Sequence, residues 1–543
     1  MKHLSKIMIF LILSSFTLVS CNDLLDVNSD RIVTPDEYQL NAANDSLYSM
    51  FGIFTKLEKL ADSYVLLGEL RGELLDVTDK SDVYLKEINN FDLSSGNPYT
   101  NNIKDYYAVV NNCNYVIKTV DTTKVKGGQL VLKRVYAAAK AIRAWTYMQI
   151  ALNFKTATYY DQPILSLSDA ENVERNAPKL TMEALAPVLI DDLKLYKDVV
   201  NPDLGSIYSY DTADSFFPIR FVLGDLYLWS GQYENAANEY HDLMYKNAYY
   251  LGSGYQIRRE VVNNAFSGII YTSWENQFDM NSSEAITDIV ASNQYGQVFH
   301  LDSLNRNFMF TASDVAKDNW KSQMYFYNDT VYKMGDFRKN LSYGSQAVSS
   351  NIEVLKDSLI LKYIYSNPKT TDVKTSRQVT IYRKALLYLR YAEAVNRLGK
   401  PNLAMAVLKN GLSKTTINNR KLIPAGEIGA ALPNYMDFSD VHFDNNIGVR
   451  ARVLGNVGND TLYYKIPKNL TKADSIEFVE DKIVNELALE TAFEGNRFHD
   501  LMRIAIRRDD NAYLANKVAA KYKSNSEAIK TKLMDRSNWY LRK

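Results

Sequence analysis

Residues 220–240 read RFVLGDLYLWSGQYENAANEY, and this stretch predicts two antiparallel helices joined at the turn glycine Gly231. Small residues at Gly224 and Ala236 allow the two helices to approach closely. Tyr227 and Tyr240 then fill the space beside the small residues. The stretch therefore predicts one closely packed helix pair.

The same order of residues occurs a second time further along the chain. The second copy consists of Tyr388, Tyr391-Ala392, Val395, Gly399, Ala404 and Leu408. Leu-Gly-x-x-Tyr, a turn glycine and Ala-x-x-x-aromatic is the pattern of tetratricopeptide repeats, with Arg220 where that pattern prefers Trp. A weaker copy, Arg143-Ala144-Trp145-Thr146-Tyr147, lies in a long amphipathic helix predicted over 131–152. The two strong copies are not a whole number of roughly 34-residue repeats apart, so a large insertion must separate them.

The insertion, residues 249–377, is rich in Asn, Ser, Asp and aromatic residues and has little helical periodicity. Within it, Ile269-Ile270-Tyr271-Thr272 predicts a short strand. A second irregular segment covers residues 424–472. The sequence thus predicts a mainly α protein, with a tetratricopeptide-like helix-pair scaffold over 21–248, a long irregular and partly β insertion over 249–377, and a second helix pair with a C-terminal region over 378–543. Binding residues are commonly found on irregular segments that a rigid scaffold carries.

The first residues of the sequence predict a secretory leader. Lys2 and Lys6 precede an apolar run over 7–19, which is shorter than the roughly 20 residues that span a bilayer. The following Leu18-Val19-Ser20-Cys21 resembles the bacterial lipobox, whose cysteine is acylated after cleavage directly before it. We therefore expect residues 1–20 to be removed and Cys21 to anchor the protein through acyl chains such as palmitate. The alternative is an ordinary signal peptide with an incidental cysteine.

Composition argues against several classes of function. The 63 basic and 63 acidic residues leave no net charge, which argues against a nucleic-acid-binding protein. Two cysteines cannot form a disulfide framework, a four-thiolate zinc site or an iron–sulfur cluster, and Cys113 lies in a helical pattern that predicts a buried, unreactive thiol. No histidine has metal-chelating spacing, and phosphate-binding and Gly-x-Ser-x-Gly motifs are absent. We expect no metal and no other cofactor.

Glu486, Glu490 and Glu494 are the one arrangement that resembles catalytic carboxylates. At intervals of four they fall on one face of a predicted helix, whereas glycosidase carboxylates flank a substrate in a cleft. Arg497 and Arg503 follow closely, so we expect intrahelical and neighbouring ion pairs worth a few tenths of a kcal/mol each. A structural role is therefore favoured over a hydrolase.

Aromatic and amide side chains in the insertion are the candidate ligand-binding residues. Flat rings beside amides suit sugars, and they suit extended peptides equally well. The candidates are Trp274, Asn276, Tyr295, Trp320 and Tyr325. Any one ring is more often a packing residue, but we expect at least one of them to face a ligand.

Several of these features together resemble one family. They are Cys21-Asn22-Asp23-Leu24-Leu25-Asp26, Arg143-Ala144-Trp145, Asp336 with Arg338, the helix over 388–394, and a C-terminal signature of Glu486, Glu490, Glu494-Gly495, Arg497, Asp500-Leu501 and Arg503. The chain in these respects resembles the SusD/RagB family of outer-membrane nutrient-binding lipoproteins. Leu487 and Thr491 depart from the residues common in that family, and residues 539–542 lack the prolines of its usual closing motif.

The resemblance implies a scaffold with four tetratricopeptide-like helix pairs, located at the cell surface as a lid on a SusC-like TonB-dependent transporter. It also implies that the C-terminal glutamates are structural and that variable residues of the insertion bind a glycan or a peptide. We therefore expect a non-catalytic lipoprotein that captures oligosaccharide or oligopeptide nutrients. A lipid-anchored protein–protein scaffold without a small ligand is the alternative, and a hydrolase with an unrecognised site is a third hypothesis.

Overall fold

The computed structural model describes residues 43–125, 130–207, 210–252, 258–262, 265–271, 278, 282–291, 299–327, 330–332, 335–344, 359–363, 377–454 and 464–541. The leader and Cys21 lie outside these ranges. Among the helices of these ranges, none has the length and apolar character that crossing a membrane requires.

The N-terminal part is a series of helices that pack on one another in chain order. The helices are α1 Ala43–Glu69, α2 Val83–Asn89, α3 Ile103–Thr119, α4 Val131–Phe154, α5 Leu167–Asn176, α6 Met182–Leu193, α7 Ile219–Trp229 and α8 Tyr233–Lys246. In the series α1, α3, α4, α6, α7 and α8, each helix contacts the next one. Five short strands lie between them, namely β1 Leu75–Val77, β2 Thr156–Thr158, β3 Lys179–Thr181, β4 Ser206–Ile207 and β5 Tyr210–Asp211.

The insertion contributes strands and short helices. They are β6 Arg258–Val262, β7 Ala265–Tyr271, β8 Ala285–Ala291, α9 Leu301–Arg306, β9 Phe310–Ala312, α10 Asp314–Lys321, β10 Tyr325–Tyr327, β11 Thr330–Tyr332, α11 Arg338–Ser342, β12 Tyr343–Gly344, β13 Leu359–Ile360 and β14 Arg377–Arg383. Each sheet of the described residues is an antiparallel pair: β1 with β9, β2 with β3, β4 with β5, β6 with β7, β8 with β14, β10 with β11 and β12 with β13. The β9–β1 pair joins the insertion to the N-terminal part.

The C-terminal part returns to helices. They are α12 Lys384–Arg397, α13 Pro401–Lys409, α14 Lys414–Asn418, α15 Ala425–Ile428, α16 Ala451–Leu454, α17 Lys472–Glu490, α18 Arg497–Arg508, α19 Asn511–Ala519 and α20 Ser526–Leu533. The helix α12 packs against α8, α13 and α17, while α18 contacts α1. The C-terminal part therefore closes back onto the first helix.

The structure confirms the mainly α fold and both helix pairs that the sequence predicts. In the pair α7–α8, a Cβ atom on Gly224 would lie 2.3 Å from Cε1 of Tyr240, so only glycine permits this approach. The hydroxyl of Tyr240 donates to Asp225 Oδ1 at 2.7 Å. In the second pair, α12–α13, Gly399 lies in the turn with a φ of 76°, in the left-handed region that favours glycine.

The long helix predicted over 131–152 is α4, which extends to Phe154. Cys113 in α3 is fully buried, as predicted, and burial raises the pKa of its thiol to about 12. The strand predicted at 269–272 falls at the end of β7, whose last residue is Tyr271. The insertion contains more helix than the sequence predicts. The helices α9, α10 and α11 are too short to produce a recognisable period of apolar residues. The domain limits at 248 and 377 stay predictions.

Replacing Gly224 by alanine tests the close contact between α7 and α8. We expect Gly224→Ala to destabilise the protein by about 1 to 3 kcal/mol, because the new methyl group collides with the buried ring of Tyr240. Urea denaturation followed by circular dichroism measures the change.

The matched control is Gly52→Ala in α1, where a Cβ atom would meet only Asn112 Oδ1, at 3.9 Å. Alanine there should be neutral or stabilising by up to about 1 kcal/mol, because it is the better helix former. Equal stabilities of the two variants would contradict the packing described for Tyr240.

Candidate functional site

The insertion meets the C-terminal part at three buried glutamates. Glu486 and Glu490 lie one turn apart in α17, and Glu494 follows in the turn after that helix ends. Their exposed fractions are 0%, 0% and 8%. A carboxylate at this depth stays charged only where cations or hydrogen-bond donors compensate it, because burial of an unpaired charge is very costly.

The partners come from separate segments of the chain, and together with the glutamates they are here called the charge cluster. The charge cluster consists of Glu284, Asp336, Arg338, Lys362, Arg383, Arg452, Glu486, Glu490 and Glu494.

Glu490 lies at the centre of the charge cluster and accepts hydrogen bonds from three guanidinium groups. Arg338 Nη1 donates to its Oε2 at 2.7 Å, and Arg383 Nη1 donates to its Oε1 at 2.9 Å. Arg452 Nη2 also donates to Oε1. Burial alone would raise the pKa of Glu490, but the three guanidinium groups more than offset it and hold the pKa far below its ordinary value.

Arg338 connects the insertion to α17. Its Nη1 donates to Glu486 Oε1 and to Glu490 Oε2, each at 2.7 Å, and its Nη2 donates to Asp336 Oδ2 at 2.6 Å. The guanidinium is fully buried, and these carboxylates raise its pKa well above the ordinary value despite that burial. The pair Asp336 with Arg338, noted in the sequence, is therefore a structural link.

Glu494 links β14 and the β13 region to the C-terminal part. Arg383 Nε donates to its Oε2 at 2.7 Å, and Lys362 Nζ donates to its Oε1 at 2.6 Å. Burial lowers the pKa of Lys362, while the carboxylate of Glu494 opposes that effect. The return of the insertion to the scaffold is thereby fixed by charge-assisted hydrogen bonds.

The turn that carries Glu494 is held by α1. Phe493 and Gly495 have φ values of 70° and 89°, and their N–H groups donate to the carboxylate of Glu69 at 3.1 and 2.8 Å. A Cβ atom on Gly68 would lie 1.8 Å from the carbonyl oxygen of Gly495, so the two backbones are in direct contact. The charge cluster is thus joined to the first helix as well.

The sequence prediction of structural glutamates agrees with this geometry, but two of its details are wrong. Glu494 does not share the helix, which ends at Glu490. Arg497 forms an ion pair with Glu73, and Arg503 forms ion pairs with Glu393 and Asp500. Neither arginine therefore pairs with the three glutamates. The actual partners lie far away in sequence, where residue spacing carries no signal.

This geometry removes the three glutamates from acid–base or nucleophilic chemistry. A general acid or nucleophile must reach a substrate, whereas these carboxylates are buried and occupied by cations. Across the residues that the structure describes, no group of three or more His, Cys, Asp or Glu side chains could hold a metal ion.

A narrow cleft beside the charge cluster is lined by Phe278, Lys362, Gln378, Val379 and Phe493, among others. Its cavity volume is about 30 Å³, which is room for about two water molecules. A sugar ring does not fit there.

Trp320 is the candidate ligand residue whose side chain the structure describes, and it lies in the core. Its exposed fraction is 1%, its ring contacts Phe493 with centroids 5.9 Å apart, and its Nε1 donates to the carbonyl oxygen of Leu489 at 3.4 Å. The expectation of a ligand-stacking ring at Trp320 is therefore corrected, because no face of the indole is open to a ligand.

The other candidates stay predictions. Trp274, Asn276 and Tyr295 lie outside the described residues. Tyr325 lies in β10, opposite Tyr332 of β11. Residues that the sequence analysis missed are Lys362, Arg383, Arg452 and Glu284 of the charge cluster.

Removing the central carboxylate tests the charge cluster. We expect Glu490→Gln to destabilise the protein at pH 7 by about 3 to 5 kcal/mol, because three buried guanidinium groups lose their shared partner. The pKa of Glu490 is lowered in the folded state, so this contribution is present above the ordinary pKa of 4.5 and is lost only as the pH falls below it. Chemical denaturation between about pH 2 and 8 measures both effects.

The control is Glu171→Gln, whose side chain is exposed and lies 3.7 Å from Arg175. That change should alter the free energy of unfolding by less than about 0.5 kcal/mol. A Glu490→Gln protein as stable as this control would contradict the charge cluster, because it would show that the three guanidinium groups do not need their shared carboxylate.

Comparison with known proteins shows the family to which the chain belongs. The model of the SusD family matches residues 229–541. A SusD-like protein P2 from Formosa agariphila is 21% identical over 527 residues, covering 93% of this chain and 91% of that protein. A SusD superfamily structure from Bacteroides vulgatus has a TM-score of 0.62 at 17% identity and covers 93% of this chain and 96% of its own. The surface glycan-binding protein A from Bacteroides uniformis has a TM-score of 0.57 at 15% identity, covering 89% and 93% of the two chains. The chain belongs to the SusD family.

Proposed function

We propose that this protein is a non-catalytic, lipid-anchored binding protein that captures oligosaccharides at the cell surface. It passes them to a SusC-like TonB-dependent transporter in the outer membrane. The observation that carries the proposal is membership in the SusD family, shown by a match over residues 229–541 that includes the charge cluster.

The ligand class is supported by what the similar structures are called. The protein from Bacteroides uniformis is a surface glycan-binding protein, and a similar structure from Bacteroides fragilis is a SusD-like carbohydrate-binding protein. The candidate contacts are Trp274, Asn276, Tyr295 and Tyr325, since flat rings and amides suit sugar faces and hydroxyls.

A binding role without catalysis is consistent with the site. The carboxylates that suggested a hydrolase form internal ion pairs. They are Glu486, Glu490 and Glu494. A rigid scaffold lowers the cost of ordering the insertion when a ligand binds. Energy for uptake comes from the transporter in this proposal.

The lipid anchor is supported by the sequence alone, through the lipobox that ends at Cys21. One acyl chain binds a membrane only marginally, so stable anchoring requires more than one chain. The anchor would keep the protein beside its transporter while the ligand is handed over.

Calorimetric titration of the mature protein with a panel of oligosaccharides and peptides tests the ligand class. We expect at least one oligosaccharide to bind, and we expect Trp274→Ala to lower its affinity by about 1 kcal/mol or more, as loss of a stacking ring does. Tyr84→Ala is the control, because Tyr84 is exposed and lies outside the insertion. The affinity of this variant for the oligosaccharide should equal that of the wild type.

If only peptides gave a binding heat, the ligand would be a peptide and not an oligosaccharide. No heat with any ligand, together with tight binding to the barrel protein, would replace the proposal by a protein–protein scaffold. Turnover of an oligosaccharide would contradict a non-catalytic role.

Metabolic labelling of the native cells with a palmitate analogue tests the anchor. We expect label in the wild-type protein and its recovery in the outer-membrane fraction, since acyl chains would provide the attachment. Cys21→Ala should abolish both, whereas Cys113→Ala should abolish neither. An unlabelled wild-type protein in the soluble fraction would rule out the anchor.

A further inference from the structure

A lysine and two tyrosines meet where the insertion leaves the scaffold and where it returns. Tyr249 and Tyr250 follow α8, and Lys384 is the first residue of α12. Lys384 Nζ lies 5.4 Å from the ring centroid of Tyr249 and 5.8 Å from that of Tyr250. Both distances lie within the range of a cation–π contact, about 6 Å.

Lys384 is a half-buried cation that forms no ion pair with any residue the structure describes. Among the described residues, no carboxylate oxygen lies within 4.0 Å of its ammonium. Burial lowers its pKa, the more distant carboxylate of Glu284 opposes this, and Arg452 adds to it. Its chain neighbour Arg383, by contrast, contacts three glutamates. Burial has removed water from this ammonium, and no neighbouring carboxylate has replaced the water. Binding of an anion to such a cation is therefore favourable.

The backbone around this group is held in place before any ligand arrives. The N–H of Tyr249 donates to the carbonyl oxygen of Met244 at 2.9 Å, and its own carbonyl accepts from the hydroxyl of Tyr388 at 2.9 Å. The N–H of Lys384 donates to the carbonyl oxygen of Glu284 at 3.0 Å. Because these positions are fixed, little ordering is needed on binding.

Tyr250 is an exposed residue, with 36% of its surface accessible to solvent. Burial raises the pKa of Tyr249 to about 12, so its hydroxyl is neutral at physiological pH and does not repel an anion. A flat exposed ring beside an uncompensated ammonium matches a molecule that has both a flat apolar face and a negative charge.

We propose that Lys384, Tyr249 and Tyr250 form a site for an acidic sugar residue, whose carboxylate or sulfate contacts the ammonium of Lys384 while its ring stacks on Tyr250. This inference rests on the proposed oligosaccharide-binding function and narrows it to anionic glycans. Neutral sugars would gain stacking at this site but no ion pair.

Matched glycans test the preference by calorimetry with the mature protein. The panel contains oligogalacturonate, alginate oligosaccharides and glucuronate-containing oligosaccharides, each with its carboxyl-reduced neutral form, and carrageenan oligosaccharides with their desulfated form. At least one acidic glycan should bind about tenfold more tightly than its neutral form. Lys384→Gln should remove that preference while leaving the affinity for the neutral form unchanged, and Tyr250→Ala should weaken both. Which acidic member binds distinguishes a carboxylate from a sulfate.

Lys482→Gln is the matched control. Lys482 is also half-buried over two rings, with Nζ 5.5 Å from the centroid of Tyr464 and 5.1 Å from that of Phe478, and burial likewise lowers its pKa. Its loss should leave the acidic preference intact. Circular dichroism of every variant confirms that the fold is retained.

The inference is overturned if neutral glycans bind as tightly as their acidic forms, or if the preference survives Lys384→Gln or is lost in Lys482→Gln. Binding of neutral glycans alone would leave the proposed function standing without this site. Heat only with an acidic peptide such as oligoglutamate, or with no ligand at all, would overturn both.

Discussion

The buried carboxylate of Glu490, shared by Arg338, Arg383 and Arg452, is the interaction on which the rest of the structure depends. Removing these charges from water costs several kcal/mol for each ion, and only their mutual contacts compensate for it. Ion pairs of this kind add little net stability compared with an apolar core. They do penalise any arrangement in which one partner is displaced. We infer that the charge cluster specifies one position of the insertion on the helices.

The first helix depends on the same region. Glu69 accepts hydrogen bonds from the turn after α17. In addition, buried cations donate directly to backbone carbonyl oxygens. Arg71 Nη1 donates to the carbonyl oxygen of Trp539 at 3.0 Å, and Lys521 Nζ donates to that of Leu70 at 2.6 Å. The residues that follow the first helix are thereby held to the C-terminal residues of the described chain. The insertion and most of the helices share one buried hydrophobic cluster.

Local features of this fold were predictable from sequence, and distant ones were not. The contact of Gly224 with Tyr240 follows from spacing within one helix pair, which the tetratricopeptide pattern encodes. The partners of Glu490 lie on segments brought together only by the completed fold, so spacing around α17 led to Arg497 and Arg503 instead. The position of Trp320 in the insertion predicts a ligand residue, yet α10 buries its ring against Phe493. Composition alone does not separate a packing ring from a binding ring.

The residues that fix the fold therefore differ from those that we propose to bind the ligand. Charges inside the scaffold hold the insertion, whereas the ligand site that we propose consists of Lys384, Tyr249 and Tyr250. Hydrogen–deuterium exchange of the wild-type protein and of Glu490→Gln tests this division most directly. Residues 359–363 and β14 should exchange as slowly as α17 in the wild type and accelerate together in the variant, while α7 and α8 are unaffected. Rapid exchange of β14 beside a protected α17 in the wild type would contradict a charge cluster that fixes the insertion.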